Sequence, residues 1–322
     1  MKPDDDYTHE LTDEPNFNES MYFQLHDLAA GVGGFFRIAN RPNEGRGERT
    51  VCIYLPDGRV AFGFDRPAVT TNKRLDAGGL TVTVVEPFQR IDIEFVGRVN
   101  ILADPQRLED PKSALSESPV VDCTAEIQFS ALAPVFAESF DSDGESFAPN
   151  HYEQPVAASG RISIGDELIE LDGHGLRDHS WGPRSWQAPW FYRWIHGTSA
   201  DLSFMGAYFG KPDGSSLQGG FVLDGDKFTR CDRVSIVTER DGNAQQTAAT
   251  VSLSAGARTW TFVGSVESNV PLRHRKKIDS EWAVSRIVEG STRWRADDGR
   301  ELHGMTEYLD QMRGQEPVGL AV

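Results

Sequence analysis

The sequence has only three cysteines in 322 residues: Cys52, Cys123 and Cys231, odd in number, widely spaced and without a C-x-x-C pair. That excludes a disulfide framework and a cysteine-built zinc site, so reduced, packed thiols are expected. No apolar run approaches the roughly 20 residues a membrane-spanning helix needs, so no integral membrane segment is expected. Positive charge is scarce as well: 32 Lys and Arg against 49 Asp and Glu leave a net charge of −17. With no basic excess to neutralise phosphates, nucleic-acid binding is excluded and docking on an anionic leaflet is not expected. The opening MKPDDDYTHELTDEP is acidic and lacks the apolar core of a secretory signal, which places the chain in the cytoplasm as an expectation. A long segment with a 3.6-residue apolar period is missing too.

What is present is punctuation and alternation. Asp-Gly pairs, which favour tight turns, stand at Asp57-Gly58, Asp143-Gly144, Asp172-Gly173, Asp213-Gly214, Asp224-Gly225, Asp241-Gly242 and Asp298-Gly299. Between them apolar residues recur every second position. Val51, Ile53 and Leu55 precede one turn and Val60, Phe62 and Phe64 follow it; Val121, Cys123, Ala125, Ile127 and Phe129 form another such series. Period two is the mark of strands with one buried face. The fold class is therefore all-β, and the length suits two barrel-like units, since closure hides strand edges. Ala103 to Pro119 and Glu138 to Pro155 read as surface loops. The boundary between units is expected near Leu171, giving 1–171 and 172–322.

From Gly173 to Gly197, GHGLRDHSWGPRSWQAPWFYRWIHG gathers three of the eight histidines and four of the seven tryptophans. Arg177, Asp178, His179 and Arg184 make a compact acid/base set, although neighbours on a strand point to opposite faces, so Asp178 and His179 need not meet. Trp181 either packs around an Arg–Asp pair or joins Trp186, Trp190, Tyr192 and Trp194 in walling a pocket. An apolar pocket with a few polar groups is the usual form of a small-molecule site, so the expected partner is a hydrophobic small molecule. PNHYEQP, with His151, reads first as a solvated loop and second as part of that site. ELHGMTEYLDQ puts Glu307 on a last strand, as a site carboxylate or as edge decoration. NFNESMYFQLHD offers Asn18, Glu19, Tyr22 and His26. No two histidines have zincin spacing, and no G-x-S-x-G elbow or phosphate loop occurs, so neither a metal nor a cofactor is expected. The oligomeric state is not legible.

DGHGLRDHSWGPRSW resembles the G-x-G-x-x-D-H-x-W-G signature of the AttH and carotenoid 1,2-hydratase-like proteins, relatives of hydroxyneurosporene synthase. HYEQP followed by GRISIG, and GMTEYLDQ, extend the similarity from about Asn16 to Gln311. The resemblance implies two tandem lipocalin-like β-barrel domains, with the signature lining a cavity near their junction. It also implies cofactor-independent addition of water to isoprenoid-type alkenes, or their isomerisation or cyclisation. Carried over by position, the family's catalytic residues are His179, Trp181 and Tyr208. Two residues after that tyrosine the hydratases have a catalytic aspartate where this chain has Gly210, so the acid must come from elsewhere, with Asp178 or Glu307 as candidates. Arg177, Arg184, Trp186, Trp190, Tyr192 and His151 would then contact a terpenoid- or steroid-like substrate. The alternative is a non-catalytic barrel that carries a hydrophobic ligand.

Overall fold

The structure is a computed structural model that describes residues 1–137, 149–278 and 280–322. Chain contacts divide it into two units, one of Met1–Asp104 with Leu115–Ser185 and one of Pro105–Ala114 with Trp186–Val322. Both are built of antiparallel strands, as the period-two pattern requires. The three cysteines are buried and none is in a disulfide among the described residues. No helix among the described residues is long and apolar enough to cross a membrane.

The first unit carries β1 (Phe17–Asp27), β2 (Val32–Arg41), β3 (Arg46–Tyr54), β4 (Val60–Asp65), β5 (Asp76–Ala77), β6 (Leu80–Glu86), β7 (Arg90–Leu102), β8 (Val120–Ala131), β9 (Phe136–Ala137), β10 (Asn150–Ile164) and β11 (Glu167–Pro183). Its ladder runs β4-β3-β2-β1-β11-β10-β8-β7, and β4 pairs again with β7, so the sheet closes on itself. Alternate residues of β7 and β8, such as Ile91, Ile93, Phe95, Ala125, Ile127 and Phe129, fill the interior with Met21, Phe23, Leu25, Phe36 and Val156. Closure removes the edges that an open sheet would expose.

The second unit carries β12 (Phe191–Thr198), β13 (Leu202–Gly210), β14 (Ser216–Asp224), β15 (Lys227–Cys231), β16 (Arg233–Arg240), β17 (Gln246–Ala255), β18 (Arg258–Ile278), β19 (Glu281–Ala296), β20 (Glu301–Arg313) and β21 (Glu316–Pro317). Its order is β15-β14-β13-β12-β20-β19-β18-β17-β16. β16, at one end of this path, reaches β14, next to the other end, through a side chain, the Val234 amide donating to Gln218 Oε1 at 2.7 Å. Ile195, Phe204, Val222, Leu253, Phe262, Trp294 and Leu302 form the core.

Five of the Asp-Gly pairs lie in turns between strands: Asp57-Gly58, Asp213-Gly214, Asp224-Gly225, Asp241-Gly242 and Asp298-Gly299. Asp143-Gly144 lies outside the described residues. Asp172-Gly173 does not turn at all, because β11 runs straight through it. The boundary expected near Leu171 thus falls inside a strand, and the units divide after Ser185. The signature therefore belongs to the first unit, not to a C-terminal domain, because every residue from Gly173 to Pro183 is laddered to β1 or β10. Ala103–Pro119 also differs from expectation. It holds a 3-10 turn over Pro105–Glu109 and a helix, α1, over Pro111–Glu117, with Leu108 and Ala114 buried. Of the second expected loop, residues 138–148 lie outside the described set, and from Asn150 onward it is buried strand.

Candidate active site

The site begins with the position of β11 between β1 and β10. Glu19, Met21, Phe23 and Leu25 of β1 stand opposite Trp181, His179, Arg177 and Gly175, which in turn stand opposite Asn150, Tyr152, Gln154 and Val156 of β10. Directly opposed residues share a face. Since Met21, Phe23 and Val156 belong to the interior, Arg177, His179 and Trp181 face inward, and Asp178 and Ser180 face out. The signature's two leading glycines have a steric reason. A Cβ on Gly173 would lie 2.3 Å from the His26 carbonyl oxygen, and one on Gly175 only 1.8 Å from that of Gln24. Any side chain there would push β1 away.

Inside, the ionisable groups form one connected series. The His179 Nε2 contacts Glu19 Oε1 at 2.5 Å, and its Nδ1 lies 3.1 Å from the Tyr152 hydroxyl. That hydroxyl donates to Asp6 Oδ1 in a short hydrogen bond and accepts from Arg177 Nη1 at 3.2 Å. Arg177 also donates to Asp6 at 2.8 Å and, through Nε and Nη2, to Gln154 Oε1 at 2.9 and 2.6 Å. The Gln154 amide donates onward to the carbonyls of Phe88 and Ala133. With Tyr152 donating to Asp6, every contact is satisfied when His179 carries protons on both nitrogens, one toward Tyr152 and one toward Glu19.

Two of these groups come from the segment that precedes β1. The 3-10 turn Pro3–Asp6 buries Asp6, whose second oxygen accepts the Phe88 amide at 2.6 Å. Three residues on, His9 stacks on Trp181 with ring centroids 3.9 Å apart. Its amide and Nδ1 reach Glu19 at 2.8 and 3.1 Å, and Asn72 bonds both the His9 carbonyl and Glu19. Asp6, Glu19, Tyr152, Arg177 and His179 are all buried. Burial alone would raise the Glu19 carboxyl, but hydrogen bonds and charge from His179 and His9 outweigh it and hold it down at about 2. Burial likewise opposes ionisation of Asp6, and Arg177 reverses the balance, leaving its pKa lowered. Burial drives the Tyr152 phenol well above its ordinary value, so it stays a neutral donor.

His9, Glu19 and His179 place three potential metal-ligating atoms within 4.8 Å of one another. Donors on a tetrahedral metal with bonds of about 2.0 Å stand roughly 3.3 Å apart. The 2.5 Å contact between His179 and Glu19 is a hydrogen bond, not that spacing.

The remaining expected residues lie elsewhere. Asp178 is on the outer face with His151, whose Nε2 is 3.6 Å from Asp178 and whose Nδ1 is 3.6 Å from Glu153. Burial works against the charged imidazole there, but Glu153 and Asp178 raise its pKa overall. Arg184 donates to the Ser180 hydroxyl at 3.0 Å on the same face. Asp178 and His179 are thus on opposite sides of one strand, and His151 is a buried strand residue rather than part of a solvated loop.

In the second unit Tyr192 donates to Glu307 in a short hydrogen bond and packs on Phe209 at 5.2 Å. Beside them Trp194 meets His196 at 4.8 Å. Neither ring nitrogen of His196 has a hydrogen-bond partner among the described residues, and burial pushes its pKa down to about 3. This face is opposite the one that carries Ile195 and Tyr308 into the core. Tyr208 stacks on Phe191 at 6.1 Å on the core side, so Tyr208 and Glu307 face apart. Trp190 lies under the Arg313 guanidinium and Trp186 stacks on His274 at 4.6 Å. Sequence alone gave no sign of Asp6 or His9, held Tyr152 only within a polar run read first as a solvated loop, and left Glu19 as part of an opening segment. The available signal was the pairing of HYEQP with the signature, which puts Tyr152 opposite His179.

The family described as Domain of unknown function (DUF7064) matches residues 2–312, and the chain belongs to it. None of the curated proteins matches. Among solved structures, that of an AttH-type protein (NE1406) of Nitrosomonas europaea is similar at 14% identity and a TM-score of 0.56, covering 91% of this chain and 92% of that one. CghA in complex with Sch210972 is similar at 10% identity and a TM-score of 0.58, covering 96% and 95%. Kievitone hydratase from Nectria haematococca is similar at 9% identity and a TM-score of 0.54, covering 94% and 90%. At these identities the likeness establishes the fold: all-β, with two lipocalin-like units in tandem, as the AttH-type resemblance implied.

Proposed function

We propose that this DUF7064 chain is a cofactor-independent hydratase, isomerase or cyclase that moves a proton to or from carbon in an apolar, isoprenoid- or steroid-like molecule. The observation that carries this reading is the imidazole of His179, engaged at both nitrogens, by Glu19 and by Tyr152, inside a barrel that also holds the apolar cluster of Met21, Phe23, Ile127 and Val156. The fold shared with a hydratase and with CghA supports the same class.

Tyr152 is the donor to the substrate in this reading. Its phenol proton passes to an alkene carbon, and the oxygen takes a replacement from the Nδ1 of protonated His179. Arg177, already donating to that oxygen, stabilises the transient phenolate, and the Glu19 carboxylate accepts from the other ring nitrogen of His179. The carbocation then takes water, or loses a proton from a neighbouring carbon directly or after closing a ring, and the released proton returns to the Nδ1 of His179, which restores the starting state. Trp181, 5.1 Å from His179, contributes an aromatic surface for that cation. The buried series meets a ligand only when the segment carrying Asp6 and His9 lifts from the barrel. Asp178 and Glu307, the other acid candidates, lack a comparable relay in this reading.

The test is mass spectrometry of an isoprenoid and steroid panel incubated with the protein in deuterated water, against Tyr152→Phe and His179→Ala. Enzyme-dependent deuterium on carbon, or gain of water, lost in both variants while they remain folded, is the expected result. Ligands bound and recovered without label support the carrier alternative, and label undiminished in both variants removes Tyr152 and His179 from the chemistry.

A further inference from the structure

Averaged over the chain the charge is −17, yet one hairpin end reverses it. Arg273, Arg275, Lys276 and Lys277 put four cations into five consecutive positions near the end of β18. β19 keeps its partner β20 only as far as Ser285 opposite Gln311, and β18 keeps β17 only as far as Ser265 opposite Ala248. Beyond those points the pairs Arg275–Val284, Lys276–Ala283, Lys277–Trp282 and Ile278–Glu281 are laddered only to each other among the described residues. Four pairs make a free ribbon about 13 Å long. A two-stranded ribbon of this kind is marginal in water unless something packs on it.

Its side chains fit an interface better than bulk water. Trp282, 65% exposed, is the only exposed tryptophan among the described residues, and Ile278 in the same hairpin is 45% exposed. Trp282 shares a face with Lys277, and Ile278 lies on the other face with Lys276, so each side of the ribbon pairs an apolar group with a cation. The base is anchored: Arg273 pairs with Glu109, and His274 stacks on Trp186. Arg275, Lys276 and Lys277 make no ion pair among the described residues and are exposed. Two acids of the sequence, Asp279 and the exposed Glu281, leave this end with a net positive charge.

The geometry points to an arm that docks on an anionic lipid surface. Trp282 and Ile278 sit at headgroup level, and Arg275, Lys276 and Lys277 meet the phosphates and carboxylates. The acidic body does not forbid this, because at physiological salt charges more than about 8 Å from the contact are screened while those at the tip are not. The inference rests on the arm and not on the proposed chemistry, although a bilayer is where an apolar substrate would be met.

The experiment is flotation of the full chain with vesicles of phosphatidylcholine alone or mixed with phosphatidylserine, at low and high salt. The expected result is binding that needs phosphatidylserine, weakens with salt and blue-shifts tryptophan fluorescence. Lys276→Glu with Lys277→Glu should lower the partition coefficient at least about tenfold, and Trp282→Ser should remove most of the blue shift. Unchanged melting temperatures and, if turnover is found, unchanged turnover in solution show that both variants keep the barrels intact. Absence of binding to either vesicle, equal binding to both, or wild-type binding by the variants overturns the proposal, as does dimerisation through the tip in place of lipid binding.

Discussion

Each barrel buries an arginine against an aspartate, and the two arrangements differ in what surrounds the pair. In the first, Arg177 and Asp6 share Tyr152, which leads to His179, Glu19 and His9. In the second, Arg193 donates to Asp310 and to the carbonyls of Tyr192, Leu309, Gly319 and Val322 while its guanidinium covers the Tyr308 ring at 4.4 Å. Arginine does not give up its proton in proteins, and carbonyls only accept, so this second knot clamps the end of the chain and moves nothing. The first contains a phenol and an imidazole in sequence between two carboxylates, with a second imidazole beyond Glu19. Connectivity through groups able to both give and take a proton, rather than the number of buried charges, separates a relay from a clamp.

The comparison breaks most visibly at His179 and Arg193. His179→Ala should lower turnover by about 10²–10⁴-fold. Arg193→Met should leave turnover per folded molecule intact and cost about 3–5 kcal/mol in denaturant stability, because Asp310 is left as an uncompensated buried charge. Equal loss of turnover in both folded proteins would erase the distinction.

Glu19 sharpens it through pH. Its carboxyl sits at about 2 in the fold against an ordinary 4.5, so its contribution is complete above about 4.5 and disappears as pH falls toward 2. Melting temperatures from pH 6 down to pH 2 should therefore fall more steeply for the wild type than for Glu19→Gln, which starts lower. Parallel curves would show that Glu19 is not the group responsible.

A smaller effect is expected at Asp6. Asp6→Asn keeps the shape of the contact with Tyr152 and Arg177 but removes its charge, and turnover should drop about tenfold. Residues 1–16 should at the same time become quicker to cleave in limited proteolysis. Glu307→Gln is the smallest, with turnover expected to stay within about twofold. A larger loss there than at His179 would move the chemistry to the second barrel.

The strands were legible because alternation and Asp-Gly turns are local signals; Asp57-Gly58 and Asp298-Gly299 do what the sequence suggests. Asp172-Gly173 misled because its glycine serves the close approach of β1, a reason that exists only once β1 and β11 are side by side. His179 and Trp181 could be picked out by their motif, and the parity of a strand already warned that Asp178 would face away. The partners of His179 could not be found locally. Glu19 is 160 residues away, and Arg177 meets Asp6 across 171. HYEQP is polar enough to look solvated, but its Tyr152 and Gln154 are satisfied by other polar groups inside the barrel.

The central place of β11 also sets an order of events in synthesis. The ring of strands closes only when the segment ending at Pro183 inserts between β10 and the first strand of the chain. Until then β1 has one open edge, Asp6 and Tyr152 lack Arg177, and Glu19 lacks His179. More than half of the polypeptide must leave the ribosome before the first barrel can lock, so β1 and its neighbours are the part of this protein most in need of a holding chaperone.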